Sequence, residues 1–296
     1  MNITLAKHHG MCFGVRQALR STHDAAKRGP VTLLGQLVHN PLVDAHLRTL
    51  GVQQGTLDSP GSAPTREVII SAHGASDRDR SAWKDIGHQV TDTTCPLVRK
   101  AHDALATLVE GGYFPVVIGQ ATHVEVRGLV GDFPHAQVVL EDSDLDHLPH
   151  HRRYGVISQT TQPLLRVLHL VEALKQQHPQ SEVRFVDTVC HPTKQRQSAL
   201  EDLCGQCQVI IVVGGRNSNN TRQLTEAARQ LGCTAHQIER PSEIDPAWFS
   251  RGQEVGVTAG TSTLDETVRE VVDRLKSIAA ELPQPGLFHS LLKQKS

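Results

Sequence analysis

The chain has 296 residues, 38% of them apolar and 3% aromatic, with 30 Lys plus Arg set against 31 Asp plus Glu. That length exceeds one small core and divides more naturally into two or three units of about 100 residues each. A balanced charge leaves no broad field for nucleic acid or an anionic membrane, and so few aromatic rings leave little for base stacking, so any anionic ligand must be held by local groups.

The opening MNITLAKHHGMC lacks the apolar core of a secretory signal, and no run approaches the roughly 20 apolar residues of a membrane span, so a cytoplasmic protein is expected. In a reducing compartment six cysteines point to metal binding, catalysis or core filling rather than to disulfides. Phe13 to Arg28 carries Val15, Ala18, Leu19 and Ala26 at helical intervals and stops at Gly29 and Pro30. Val31 to Leu34 then reads as a strand buried on both faces, followed by GQLVH from Gly35 to His39. Val68 to Ile70 forms a second such run and ends in SAHG, which contains His73.

After Cys95, an apolar stripe of Leu97, Val98, Ala101, Leu105 and Leu108 predicts a helix ending at Gly111 and Gly112. Val116 to Ile118 leads into GQATH, Gly119 to His123, and Gly155 to Ile157 leads into SQTT. After Cys190 the order recurs: a helix over Thr193 to Leu203 with Ala199, Leu200 and Leu203, a strand over Val209 to Val213, and a strand over Val255 to Val257 that ends in TAGTS. Pro96 and Pro192 fall in first helical turns, where the missing amide hydrogen costs nothing.

Cys12, Cys95 and Cys190 each open a helix, and each is followed by a glycine that closes a β-branched run: Gly35 comes 23 residues after Cys12, and Gly119 and Gly214 come 24 after Cys95 and Cys190. This register predicts an α/β fold of three pseudo-equivalent α/β domains with small parallel sheets. The expected division is 1–12 as an N-terminal strand extension, 13–96, 97–193 and 194–282 as domains 1 to 3, and 283–296 as a C-terminal tail.

Ligands of open α/β sheets bind beyond the carboxyl ends of the strands. Here those ends carry His39, His73, His123, Glu125, Thr160, Ser218, Asn220 and Ser262, with Thr161 and Asn219 beside them. Three units around one axis would gather them in one pocket floored by the three cysteines. The set is rich in hydrogen-bond donors and poor in fixed positive charge, which suits a compact anion such as a diphosphate. Glu125, two residues from His123, is placed to relay protons.

A thiolate at a helix N-terminus is stabilised by the terminal amides, and three equivalent thiolates suit a metal better than a nucleophile. The candidates are zinc with one open position or a 4Fe-4S cluster whose fourth iron lacks a protein ligand. Ligand separations of 83 and 95 residues lean towards the cluster, because zinc ligands usually come in close pairs. Two other readings use the same residues: a zinc-dependent hydrolase or deaminase with Glu125 as general base, and a non-catalytic phosphate-ligand binder whose cysteines fill cores. Cys204, Cys207 and Cys233 read as filler, and His8, His9, His135, His147, His150 and His151 as solvated. The glycine-rich pieces match neither a dinucleotide fingerprint nor a Walker loop.

From GMCFGV through LVHNP, SAHG, DTTCPLVRKAH, THVEVRG, SQTT, DTVCHPTKQRQ and NSNNTRQL to TAGTST, the chain resembles the 4-hydroxy-3-methylbut-2-enyl diphosphate reductase family, which performs the last step of non-mevalonate isoprenoid synthesis. The resemblance implies a trefoil of three domains around a 4Fe-4S cluster held by Cys12, Cys95 and Cys190. It implies that the substrate hydroxyl is removed to give isopentenyl and dimethylallyl diphosphate, with a small ferredoxin or flavodoxin as electron donor. By the same resemblance, Glu125, His123 and Thr160 are catalytic, and His39, His73, His123, Thr160, Ser218, Asn219, Asn220 and Ser262 hold the substrate. Val124 stands where the family usually has proline, Thr261 and Leu264 depart from the usual TAGASTP, and His9 replaces a common arginine. None of these changes removes an implied ligand.

Overall fold

The runs that the sequence marks as apolar lie at the centres of three separate sheets. The computed structural model describes residues 1–282, so the tail assigned to 283–296 lies outside the described residues. Strand β1 spans Asn2–Leu5. The next stretch runs α1 (Phe13–Arg28), β2 (Val31–Leu34), α2 (Pro41–Thr49), β3 (Gln53–Gly55), β4 (Glu67–Ile70), α3 (Asp77–Asp85) and β5 (Gln89–Asp92). Its strands form a parallel sheet in the order β3-β2-β4-β5. The second stretch runs α4 (Pro96–Glu110), β6 (Phe114–Ile118), α5 (Val124–Val130), β7 (Gln137–Val139), α6 (Asp142–Leu145), β8 (Arg153–Ser158), α7 (Leu164–Gln177) and β9 (Glu182–Phe185), with parallel order β7-β6-β8-β9. The third runs α8 (His191–Cys204), β10 (Val209–Val213), α9 (Asn219–Gln230), β11 (Thr234–Ile238), β12 (Glu254–Ala259) and α10 (Asp265–Glu281).

Each sheet is covered on both faces, so each unit has two cores. In the first, Leu33, Leu37, Leu47 and Ile69 pack on one face and Leu34, Val68, Ile70 and Trp83 on the other. Burial on both faces explains why the two central strands of each sheet are mostly apolar. The edge strands are short and polar, as in QQG of β3 and QVTD of β5, and hydrophobic patterning gave no sign of them. Among the described residues, no helix is long and apolar enough to cross a membrane.

The N-terminal strand has a structural position that its sequence does not indicate. β1 pairs in parallel with β12, Ile3 opposite Val255, and completes the third sheet in the order β1-β12-β10-β11. It thus takes the edge place that β5 takes in the first sheet and β9 in the second. Each of these three edge strands leads directly to one of the spaced cysteines: β1 to Cys12, β5 to Cys95 and β9 to Cys190. Each cysteine therefore stands where the chain leaves one sheet and enters the helix that starts the next unit.

Cross-unit bonds hold the three sheets together near these crossings. The Asn40 side-chain amide donates to the Ser262 carbonyl at 2.7 Å, joining the first and third units. Gly215 lies so close to the His39 carbonyl that any Cβ there would collide with it. Asn219 donates to the Thr161 hydroxyl at 3.1 Å, and Arg222 to the Gln120 side-chain oxygen at 3.0 Å, joining the third unit to the second. The Asp132 carboxylate accepts from the Asp77 and Arg78 amides at 2.7 and 3.0 Å, closing the ring between the second unit and the first.

Candidate functional site

Cys12, Cys95 and Cys190 are the N-cap residues of α1, α4 and α8, and none of these helices has a side-chain cap or an acidic residue in its first turn. The leading amides are left to the sulfurs. The Leu97 and Val98 amides face Cys95, and Cys190 has the Thr193 amide and, at 3.1 Å, the Thr193 hydroxyl. Burial nevertheless raises both thiols, Cys190 to about 11, against the pull of those donors. A positive centre would reverse that balance by stabilising the thiolates.

All three thiols line one cavity of about 620 Å³, open mouth included. Among the described residues, the three sulfurs do not all lie within 4.8 Å of one another. Three thiolates on a single tetrahedral zinc with bonds of about 2.3 Å would sit only about 3.8 Å apart. The three thiols, brought to one cavity but not drawn to single-zinc spacing, are a soft donor set that suits a larger inorganic core. Gly14 adds a second sign of that fit, because any Cβ there would overlap the Cys95 sulfur. Gly14→Ala is expected to lower the iron retained after anaerobic reconstitution severalfold with the circular dichroism spectrum unchanged; wild-type iron content would show that the sulfur relocates freely.

In the same cavity, His39, His73 and His123 form a compact trio with ring centroids 4.4, 5.2 and 5.4 Å apart. Burial lowers all three pKa values: His123 falls to about 3, His73 well below its ordinary value, and His39 less far, with Arg222 adding its charge against His39 and His123. At neutral pH the rings are uncharged and act as directional hydrogen-bond partners. His123 caps α5, its Nδ1 accepting from the Glu125 amide at 3.1 Å, so the neutral ring carries its proton on Nε2.

Glu125 is 2% exposed, and its carboxyl is gripped by a single residue. The Thr160 amide donates to Oε1 at 2.6 Å, and the Thr160 hydroxyl lies 3.0 Å from Oε2. Burial raises Glu125 to about 7 even though both Thr160 bonds favour the charged form. The side chain is thus a carboxylic acid that titrates near neutrality, which is the tuning a general acid requires.

The third wall carries Ser218, Asn219, Asn220 and Ser262. Ser218 caps α9, accepting from the Thr221 amide at 3.4 Å, which leaves its hydroxyl hydrogen free to donate. Asn220 is 3% exposed, and among the described residues neither its side-chain nitrogen nor the buried Nδ1 of His73 has a hydrogen-bond partner. Unsatisfied donors of this kind are costly unless a ligand accepts from them. Every site residue expected from the sequence lines this cavity.

Three contributors escaped the sequence reading. Gly14 makes room for a sulfur, Thr193 bonds another, and Arg222 brings a fixed cation within reach of His39 and His123. Arg222 lies four residues after Ser218 on the same helix face, a spacing that could have revealed it. Cys204, Cys207 and Cys233 stay in the third unit, where Cys207 and Cys233 sit in its core and the Cys233 thiol meets the Cys207 carbonyl at 3.3 Å.

Comparison with known proteins follows the same residues. The profile of the family described as LytB protein matches residues 3–276. The 4-hydroxy-3-methylbut-2-enyl diphosphate reductase of Geobacter sp. strain M21 is 36% identical over 284 residues, covering 94% of this chain and 98% of that protein. The enzyme of the same name from Aquifex aeolicus is 34% identical over 286 residues, covering 94% and 97%. The solved structure of the E-1-hydroxy-2-methyl-but-2-enyl-4-diphosphate reductase from Plasmodium falciparum superposes with a TM-score of 0.88 at 25% identity, covering 100% of this chain and 99% of that one. A second solved structure, described as (E)-4-hydroxy-3-methyl-but-2-enyl diphosphate reductase, the terminal enzyme of the non-mevalonate pathway, has a TM-score of 0.67 at 33% identity, covering 94% and 100%.

Proposed function

The chain belongs to the LytB family, and on that premise we infer that it is a reductase of 4-hydroxy-3-methylbut-2-enyl diphosphate, acting at the terminal step of the non-mevalonate pathway. The reaction replaces the allylic hydroxyl by hydrogen, consuming two electrons and two protons and releasing water, to give isopentenyl and dimethylallyl diphosphate. The observation that supports this reading is the meeting, in one cavity, of three helix-capping thiols, three neutral imidazoles and a carboxylic acid poised near neutrality. The domain boundaries near 96 and 193 belong to the same proposal, since they follow the cysteines that begin each unit.

Cys12, Cys95 and Cys190 would hold a 4Fe-4S cluster. When bound, that group supplies electrons and a Lewis-acidic iron able to polarise a carbon–oxygen bond. The rest of the work falls to the protein. Ser218, Asn219, Asn220 and Ser262 anchor the diphosphate through hydroxyl and amide donors at the head of α9 and the end of β12, with the Arg222 charge nearby. His39, His73 and His123 donate to the substrate without adding charge to a buried site. Anchoring at the diphosphate fixes the allylic carbon against the thiol-lined floor, which converts binding energy into position. Glu125 holds the proton at its carboxyl, and the Thr160 hydroxyl at 3.0 Å passes and orients it. The electron donor is proposed to be a small ferredoxin or flavodoxin.

Anaerobically prepared protein given the hydroxylated butenyl diphosphate and an artificial one-electron reductant is expected to form both five-carbon diphosphates. Absence of either product from fully loaded protein would overturn the assignment. The pH profile is a sharper test. A proton donor titrating at about 7 is present below that pH and lost above it, so kcat should be level on the acid side and fall about tenfold per pH unit once pH exceeds it. A rate unchanged two units above would remove Glu125 from the role of acid.

A further inference from the structure

Among the described residues Arg196 is a buried cation with no acidic partner. It lies in α8, six residues after Cys190, and is 5% exposed. Its guanidinium donates to the Pro192 carbonyl at 2.8 Å, to the Gly10 carbonyl, and more weakly to the His9 carbonyl at 3.4 Å. Its buried Nε bonds none of the described residues. Among the described residues, these neutral carbonyls are its only bonds. Asp265, a carboxylate whose charge reaches it, is already paired with Arg16 at 2.9 Å. A buried unpaired guanidinium is costly, so its charge calls for an anion that protein carboxylates do not provide.

The carbonyls it grips belong to the segments that carry two of the three thiols. Gly10 precedes Cys12 by two residues and Pro192 follows Cys190 by two, and Arg196 and Cys12 line a shared surface depression. Burial lowers the Arg196 pKa, and the Cys12 and Cys190 thiolates act against that lowering.

We propose that Arg196 is the resident counter-charge of the thiolate-bound cluster and sets its reduction potential, besides tying the segment before Cys12 to α8. This rests on the cluster reading above. The physical basis is simple: reduction adds one electron from an external one-electron donor, transfers no atom, and makes the core one unit more negative. A fixed cation held against the segments that carry two of the thiolates, in a low-dielectric site, stabilises the reduced form more than the oxidised form. Arg196 touches neither substrate nor reacting atoms, so it is a positioning and tuning residue.

The test is a redox titration of anaerobically loaded protein, followed by visible absorbance and electron paramagnetic resonance, for wild type, Arg196→Met and Arg196→Lys. Loss of the charge in Arg196→Met should reduce the ratio of reduced to oxidised cluster at fixed potential by about tenfold, a fall of about 59 mV for one electron. Arg196→Lys keeps the charge and loses the planar fork, and its ratio should stay within about threefold of wild type. An unchanged potential in Arg196→Met overturns the proposal. If the Met variant takes up no cluster, Arg196→Gln decides, because it loses the charge and keeps an amide that can donate to the same carbonyls: a fall of about tenfold supports the tuning role, and a ratio near wild type overturns it. A wild-type protein that holds no reducible cluster fails the cluster reading itself, a result separate from any difference among the variants.

Discussion

Glu125→Gln is expected to cut anaerobic turnover by about 10²- to 10⁴-fold while leaving substrate affinity within about threefold of wild type. Gln keeps the size of the side chain and retains an oxygen to accept from the Thr160 amide, so the local fold of α5 and the SQTT loop should persist. What it lacks is an acidic proton. Among the described residues the wild-type carboxyl bonds only Thr160, and burial holds it near pH 7, so none of them is placed to take over the transfer. The imidazoles cannot substitute as acids, because burial keeps them neutral, His123 down to a pKa of about 3. The measurement is kcat and substrate Kd on protein matched for iron content. Turnover within a factor of two of wild type would contradict the assignment.

Serine at position 12, 95 or 190 should abolish the reaction, with turnover falling at least about 10³-fold in each single variant because the cofactor is lost. A serine oxygen is a harder and far less acidic donor than a thiol, and each sulfur is a separate corner of the site on a separate unit. The control is internal to the chain. Serine at 204, 207 or 233 should leave iron content intact, since those cysteines serve the third unit and none of them lines the cavity. Equal iron loss from both sets would mean that the variants act through folding rather than ligation.

The legible part of the fold is the part whose burial is local. Central strands such as VTLL and VIIVV are buried on both faces and mostly or wholly apolar, and the three helices that begin at cysteines show amphipathic spacing, so both could be read directly. The edge strands could not, because half of each faces solvent and QVTD or QQG has no marked pattern. The place of β1 was hidden for a different reason: its partner β12 lies some 250 residues away, and nothing in NITL specifies it.

The site divides in the same way. The cysteine register and the small polar residues at strand ends exposed the cavity lining, because an α/β sheet dictates where its strand ends point. The acidity of Glu125 was not readable, since it arises from burial by other units. Arg196 and Gly14 were also unreadable. One is defined by carbonyls that belong to the N-terminal segment, the other by a sulfur brought from α4. Such residues become functional only once the three units close on one another.

Quantification of iron and acid-labile sulfide in anaerobically prepared wild-type protein tests the whole account most directly. The account predicts about four of each per chain and no stoichiometric zinc. One zinc per chain with no sulfide, or no metal at all after reconstitution of folded protein, would contradict it.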